Sequence, residues 1–227
     1  MIITIDGPTA GGKSTVAAEV AQRLGLYHLN SGLLYRSLAY VLVFKYHYDE
    51  HDLNHIREQD IHICIDSPAL LYAYHDGVAT ITYKGENITP LLKDAKIDYY
   101  VSLISSQKIV RDALVAKQRE IADQHGLVAD GRDVGSYVFP QADYKFFLTA
   151  TLPVRSERWR HDQEKRGNYF TQEQAEGQVR ARDQKDEQRI ISPLIVPSGA
   201  VVIDSTQLTM QQVVDYVIAC VKGKDAV

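Results

Sequence analysis

The chemistry most directly spelled in this chain lies in Gly7-Pro-Thr-Ala-Gly-Gly-Lys-Ser-Thr15, which fits G-x-x-x-x-G-K-[ST] with Gly7, Gly12, Lys13 and Ser14 at the specified positions. Small residues let backbone N–H groups converge on phosphate oxygens, and a helix start behind the loop favours an anion. Lys13 can reach the outer phosphates, and the Ser14 hydroxyl is a hard oxygen suited to Mg²⁺. The stretch Gly7, Pro8, Thr9, Ala10, Gly11, Gly12, Lys13, Ser14 and Thr15 is therefore expected to cradle a nucleoside triphosphate.

A cradled triphosphate needs an acceptor, and three arginine-bearing segments are candidates to hold one. In Ser31-Gly-Leu-Leu-Tyr-Arg36, Ser31 reads as a helix N-cap and Arg36, one turn on, offers a bidentate donor; a capped helix with a surface arginine fits the residues equally. Asp130-Gly-Arg-Asp-Val-Gly135 follows a buried run. In open α/β sheets ligands bind outside the carboxyl ends of the strands. Asp130 then sits where the acidic partner of a magnesium shell belongs, while Arg132 suits an anion and Asp133 a base or sugar donor. In the third segment, Arg182, Asp186 and Arg189 fall at i, i+4 and i+7, two guanidinium groups with a carboxylate between them on one helical face. A polar surface helix is the competing reading of that stretch.

Elements must place these groups. Ile2-Ile-Thr-Ile5, Leu127-Val-Ala-Asp130, Lys145-Phe-Phe-Leu-Thr149 and Ala200-Val-Val-Ile-Asp204 are short apolar runs of the kind buried in a parallel sheet. Val16, Val20 and Leu24 mark a helix closed by Gly25, and a second helical pattern runs from Ser31 to about Lys45. Alternation from Ile61 to Ile65, then Leu71–Tyr74 and Val78–Tyr83 around Asp76-Gly77, predicts an antiparallel meander over roughly 61–90. Helices are expected at Ser106–His125, Pro153–Lys165 and Thr171–Arg189, and a last one opens on a Thr209/Gln212 capping box. With Tyr27-His-Leu-Asn30 as a short second strand, the sum is an α/β chain: a doubly wound core of five parallel strands with two excursions. His47, His51 and His55 have ligand spacing, but the acidic residues among them favour a solvated segment.

The chain has 227 residues, 45% of them hydrophobic, and a formal net charge of −4, which argues against a general nucleic-acid or anionic-membrane binder. Cys64 and Cys220 read as reduced core residues. No leader or spanning segment is evident, and a complete cytoplasmic protein is expected.

Taken together, Gly7–Thr15, Ser31–Arg36, Ala129-Asp-Gly-Arg-Asp-Val-Gly135 with Val138-Phe-Pro140, and Arg182-Asp-Gln-Lys-Asp-Glu-Gln-Arg189 leading to Pro193-Leu194 resemble bacterial cytidylate kinases, the CMP/dCMP kinases among nucleoside monophosphate kinases. The resemblance covers nearly the whole chain. It implies a P-loop kinase that transfers phosphoryl from ATP to CMP or dCMP with Mg²⁺, held by Ser14 and Asp130, and that works as a cytoplasmic monomer. The core would comprise 1–45, 106–154 and 190–227, with a monophosphate-binding subdomain at 46–105 and a helical lid at 155–189. Ser31, Arg36 and Arg132 would hold the CMP phosphate; Ser102, Arg111 and Asp133 would read the cytosine; Asp186 would contact the ribose. Arg182 and Arg189 would act from the lid on the phosphates, with Arg155 and Arg158 near the triphosphate. Read without the resemblance, Arg111 is a charge on a helix surface. Asn30, where the family usually has Asp, and Glu187, inside the lid motif, depart from the family pattern. A kinase for another small acceptor, such as UMP or a shikimate-like metabolite, and a nucleotide-dependent switch are the alternatives; a switch has no second phosphate for the paired arginines.

Overall fold

The structure, a computed structural model, describes residues 1–66 and 68–223. Strand β1 (Ile2–Asp6) leads to helix α1 (Lys13–Leu24), and β2 (Tyr27–Asn30) to α2 (Ser31–Tyr40). Helices α3 (Glu50–Asn54) and α4 (Glu58–Ile65) precede strands β3 (Leu70–His75), β4 (Val78–Tyr83) and β5 (Glu86–Asn87). Then come α5 (Ala95–Ile104), α6 (Lys108–Gln124), β6 (Leu127–Asp130), β7 (Tyr144–Thr149), α7 (Leu152–Glu164), α8 (Gln172–Glu187), β8 (Val201–Asp204) and α9 (Met210–Val221). The main sheet has the expected five strands, in the order β2-β6-β1-β7-β8, and a smaller sheet has the order β3-β4-β5. The chain divides into two compact units, Met1–Leu26 together with the chain from Leu127 on, and Tyr27–Gly126.

In the first unit β1 runs parallel to β6 on one side and β7 on the other, with Ile5 opposite both Asp130 and Phe146. In β1 and β6 nearly every residue is buried, so both faces are covered and these runs show no alternation, whereas β7 buries only Phe146 and Leu148 on one face. At the sheet edge β8 is not the buried strand expected: Val201 and Val202 are exposed and only Ile203 is buried. The register brings the ends of β1 and β6 level, which places Asp130 beside the start of the glycine-rich loop. Helix α1 buries Val16, Ala17, Val20 and Ala21, and Gly25 closes it at φ 65°. Thr209 and Gln212 form the expected capping box at α9. Helix α8 opens on a second box, Thr171 with Gln174, and ends at Glu187, so Arg189 lies just beyond the helix on which the sequence placed it. Phe170 lies in the break between α7 and α8 and packs on Trp159 of α7.

The second unit departs further from expectation. Ile61–Ile65 is not a strand but the end of α4. Ile61, Cys64 and Ile65, at helical spacing, are buried, whereas Ile63 is 52% exposed. A burial pattern of period two would have buried Ile63 with its neighbours. The meander is accordingly shorter and begins at Leu70. Its turn is as predicted: His75 pairs with Val78, and Asp76 and Gly77 both have positive φ, as a type I′ hairpin requires. Asn30, not Ser31, caps α2, its side chain accepting from the Leu33 N–H; Ser31 is the first helical residue. The helical path continues past Tyr40 as a wider π turn over Val41–Lys45.

The His51 and His55 rings lie 4.7 Å apart on an exposed segment. Asp49 and Asp52 there are engaged in the capping box of α3. Both cysteines are free thiols: Cys64 is buried in α4, and Cys220 is partly exposed in α9. Among the described residues no helix is long and apolar enough to cross a membrane.

Candidate active site

The loop between β1 and α1 closes tightly on β7. Gly7 has φ 148°, and a Cβ placed there would lie 2.1 Å from the Leu148 carbonyl oxygen, so no side chain fits. Gly12, at φ 89°, brings no side-chain acceptor to the start of α1, so its first-turn N–H groups have no side-chain cap from that residue. Lys13 is buried and donates to the Pro8 carbonyl at 2.6 Å. Burial holds its ammonium well below the usual lysine range, the Arg132 charge adds to this, and Asp130, Asp186 and Asp6 oppose it. The Ser14 hydroxyl donates to Asp130 at 2.6 Å. Asp130 is buried and Ser14 exposed, and together they set hard oxygen donors at the carboxyl end of the sheet, which fits Mg²⁺.

Asp6, which the sequence reading passed over although it directly precedes the motif, is fully buried. It accepts from the Val134 and Gly135 N–H groups, each at 2.7 Å, and so ties the turn that carries Asp133 to the base of the loop. Burial pushes the Asp6 carboxyl up to about 7 against the pull of these two bonds, and the neighbouring Asp133 charge pushes the same way.

Arginines converge on the same end. Arg132 donates from Nε to Asp186 at 2.8 Å and from Nη2 to the Thr9 hydroxyl at 3.3 Å. Arg189 donates to the other Asp186 oxygen. Burial alone would raise the Asp186 carboxyl, but Arg132, Arg189 and Arg182 outweigh it and hold it below the ordinary carboxylate range. Arg155 donates to the Ala150 carbonyl at 2.9 Å, to the Thr9 carbonyl at 3.0 Å, and to Asp183. Arg158 is committed to Ser205, bonding its hydroxyl at 3.0 Å and its carbonyl at 2.9 Å. Lys13, Ser14, Asp130, Arg132, Asp186, Arg189 and Arg155 thus form one charged neighbourhood around the loop, with Arg158 at the end of β8.

In the second unit, Ser31 is buried at the first turn of α2. Arg36 donates from Nε and Nη2 to one Asp98 oxygen, at 3.1 and 2.8 Å. Its remaining terminal nitrogen lies over that same turn, 3.5 Å from where a Cβ on Gly32 would sit. Asp98, which the sequence reading missed, stands one helical turn before Ser102 on α5. The Ser102 hydroxyl donates to the Tyr99 carbonyl at 2.7 Å. Arg111 is not a helix-surface charge, as the residues alone suggested: it is 1% exposed and donates to the Ser105 carbonyl at 2.8 Å. Its guanidinium lies 5.7 Å from the centre of the Tyr35 ring. Tertiary packing, including that against Tyr35 and the α5–α6 corner, hides it, and no local pattern announces that.

The sequence profile described as Cytidylate kinase matches residues 3–223. A protein named cytidylate kinase from Thermodesulfovibrio yellowstonii is 36% identical over 217 residues, 96% of each chain. One of the same name from Ralstonia nicotianae is 37% identical over 217 residues, covering 96% of this chain and 90% of its own. Among solved structures, an uncharacterized protein from Eubacterium ventriosum aligns over 99% of both chains with a TM-score of 0.52 at 11% identity, a likeness of fold. With the phosphate loop, the arginine cluster around Asp186 and a family match that runs almost end to end, the chain belongs to the cytidylate kinase family.

Proposed function

We propose that the chain transfers the γ-phosphoryl group of ATP to CMP or dCMP, giving ADP and CDP or dCDP. The observation that carries this reading is the double engagement of Asp186 by Arg132 and Arg189 beside Lys13, because two guanidinium groups on one carboxylate leave positive charge for phosphates. Family membership supports the nucleotide class.

The attacking group is an acceptor phosphate oxygen that is already anionic, so no general base is needed. Its lone pair forms the new O–P bond to the γ phosphorus as the bond to the ADP oxygen breaks. Catalysis is then positioning and charge neutralisation. The loop N–H groups and Lys13 hold the triphosphate, and Arg132, Arg182 and Arg189 neutralise the oxygens of the phosphoryl group in transit. Ser31, Arg36 and Arg132 hold the acceptor phosphate. Ser102, Arg111 and Asp133 read cytosine, and Asp186 contacts the ribose while orienting two arginines. Ser14 and Asp130 would hold Mg²⁺, which when bound supplies charge neutralisation at the outer phosphates. Arg155 and Arg158 act near the triphosphate, Arg155 through the Thr9 peptide. Residues 155–189 serve as the lid and 46–105 as the monophosphate-binding segment, in a cytoplasmic monomer.

ADP release measured with CMP, dCMP, UMP, AMP and shikimate as acceptors tests this reading. CMP and dCMP should exceed the others in kcat/KM by about 100-fold. Equal rates with UMP or shikimate, or ATP hydrolysis indifferent to every acceptor, would overturn it.

A further inference from the structure

Asp183 has no role in the reading above, yet both of its oxygens are engaged at the phosphate loop. One of its oxygens accepts from the Thr9 N–H at 2.8 Å, and the other pairs with Arg155. The same Arg155 nitrogen donates to the Thr9 carbonyl at 3.0 Å, so the Thr9 peptide is gripped at both its donor and its acceptor. Arg132 reaches the Thr9 hydroxyl from another side. Asp183 and Thr9 are both buried, and Asp183 lies one turn before Asp186 on α8. Two carboxylates on one helix therefore face the loop: Asp183 holds its Thr9 peptide, and Asp186 holds Arg132 and Arg189.

We propose that Asp183 is a positioning residue for phosphoryl transfer, seating α8 on the phosphate loop through the ring Thr9 N–H, Asp183, Arg155, Thr9 C=O. The proposal rests on the kinase reading above. A buried charge-assisted pair has one favoured geometry, so this ring sets the reach of Arg182 and Arg189 toward the outer phosphates. Loss of the carboxylate leaves Arg155 without its counter-charge in a buried setting and frees the helix to shift. Asn at this position still accepts from Thr9 but cannot neutralise Arg155. The ordering of the two variants therefore separates charge from hydrogen bonding.

The test compares wild type, Asp183→Asn and Asp183→Ala in kcat, in KM for ATP and for CMP, and in ATP hydrolysis without acceptor, with circular dichroism and thermal unfolding as controls. The expected result is a kcat lower by about 10-fold in Asp183→Asn and about 100-fold in Asp183→Ala, with KM for CMP within about twofold of wild type. Hydrolysis relative to transfer should rise in both, because an unseated helix admits water. Wild-type kinetics in folded Asp183→Ala, or losses in both variants that match only the folded fraction, would overturn the proposal. CDP formation by the wild type separates the two levels: if it is absent, the kinase reading fails and the proposal with it. If it is present beside an indifferent Asp183→Ala, only the positioning role fails.

Discussion

Asp186 in the first unit and Asp98 in the second both partner arginines assigned to phosphate, but in different settings. The Asp186 side chain is 5% exposed and takes a guanidinium on each oxygen, so the cluster keeps a net positive charge in a buried place. Asp98 is 23% exposed and takes two nitrogens of Arg36 on one oxygen, in a half-buried pair of opposite charges. Buried excess charge can stabilise charge that develops during transfer, whereas a more exposed pair of opposite charges is better screened and can orient a ligand but adds little field. The two carboxylates should therefore fail differently when their partners are disturbed.

The largest effect is expected on the first side. Arg189→Ala should lower kcat by about 100-fold or more with little change in KM for CMP, as steady-state kinetics would register. A change confined to KM would erase the contrast. Asp98→Ala should do the reverse, raising KM for CMP about tenfold with kcat within about twofold, because Arg36 loses the bond that turns its free nitrogen over α2. If kcat falls as far as in Arg189→Ala, Asp98 belongs to the transfer step.

A smaller effect concerns pH. The Asp6 carboxyl is raised to about 7 in the folded chain by burial, and unfolding returns it to the ordinary value near 3.8. The folded state thus binds the proton more tightly. Asp6's contribution is fully present below about pH 4 and is lost as pH rises through about 7. The unfolding free energy of wild type minus that of Asp6→Asn, from urea titrations at pH 5 and pH 8, should be more favourable to wild type at pH 5. No change with pH would mean that the carboxyl is already ionised at pH 5.

The same contrast explains what could be read from the sequence. Gly7–Thr15 was legible because its function depends on local spacing and backbone, and the sheet now places Asp130 beside it as position after a buried run suggested. Asp186 with Arg189 was legible as a pair, although the helix ends before Arg189. Asp183 stands inside the same quoted motif yet was given no role, since an acid among alternating charges on a polar helix looks solvated until a distant loop supplies its partner. Asp6, Asp98 and the burial of Arg111 were hidden for the same reason: each depends on contacts far along the chain. Ile61–Ile65 fits both periods over so short a run, and only the packing of Ile61, Cys64 and Ile65 with Ile63 left outside decides for a helix.

The central claim, that charge gathered around the loop serves transfer between two phosphates, is tested most directly by following CDP and inorganic phosphate together as the purified chain consumes ATP in the presence of CMP. Wild type should form one CDP per ATP consumed with negligible free phosphate, and Lys13→Ala should lose about 1,000-fold of that rate. Phosphate released without CDP, or CDP formed undiminished by Lys13→Ala, would contradict the account.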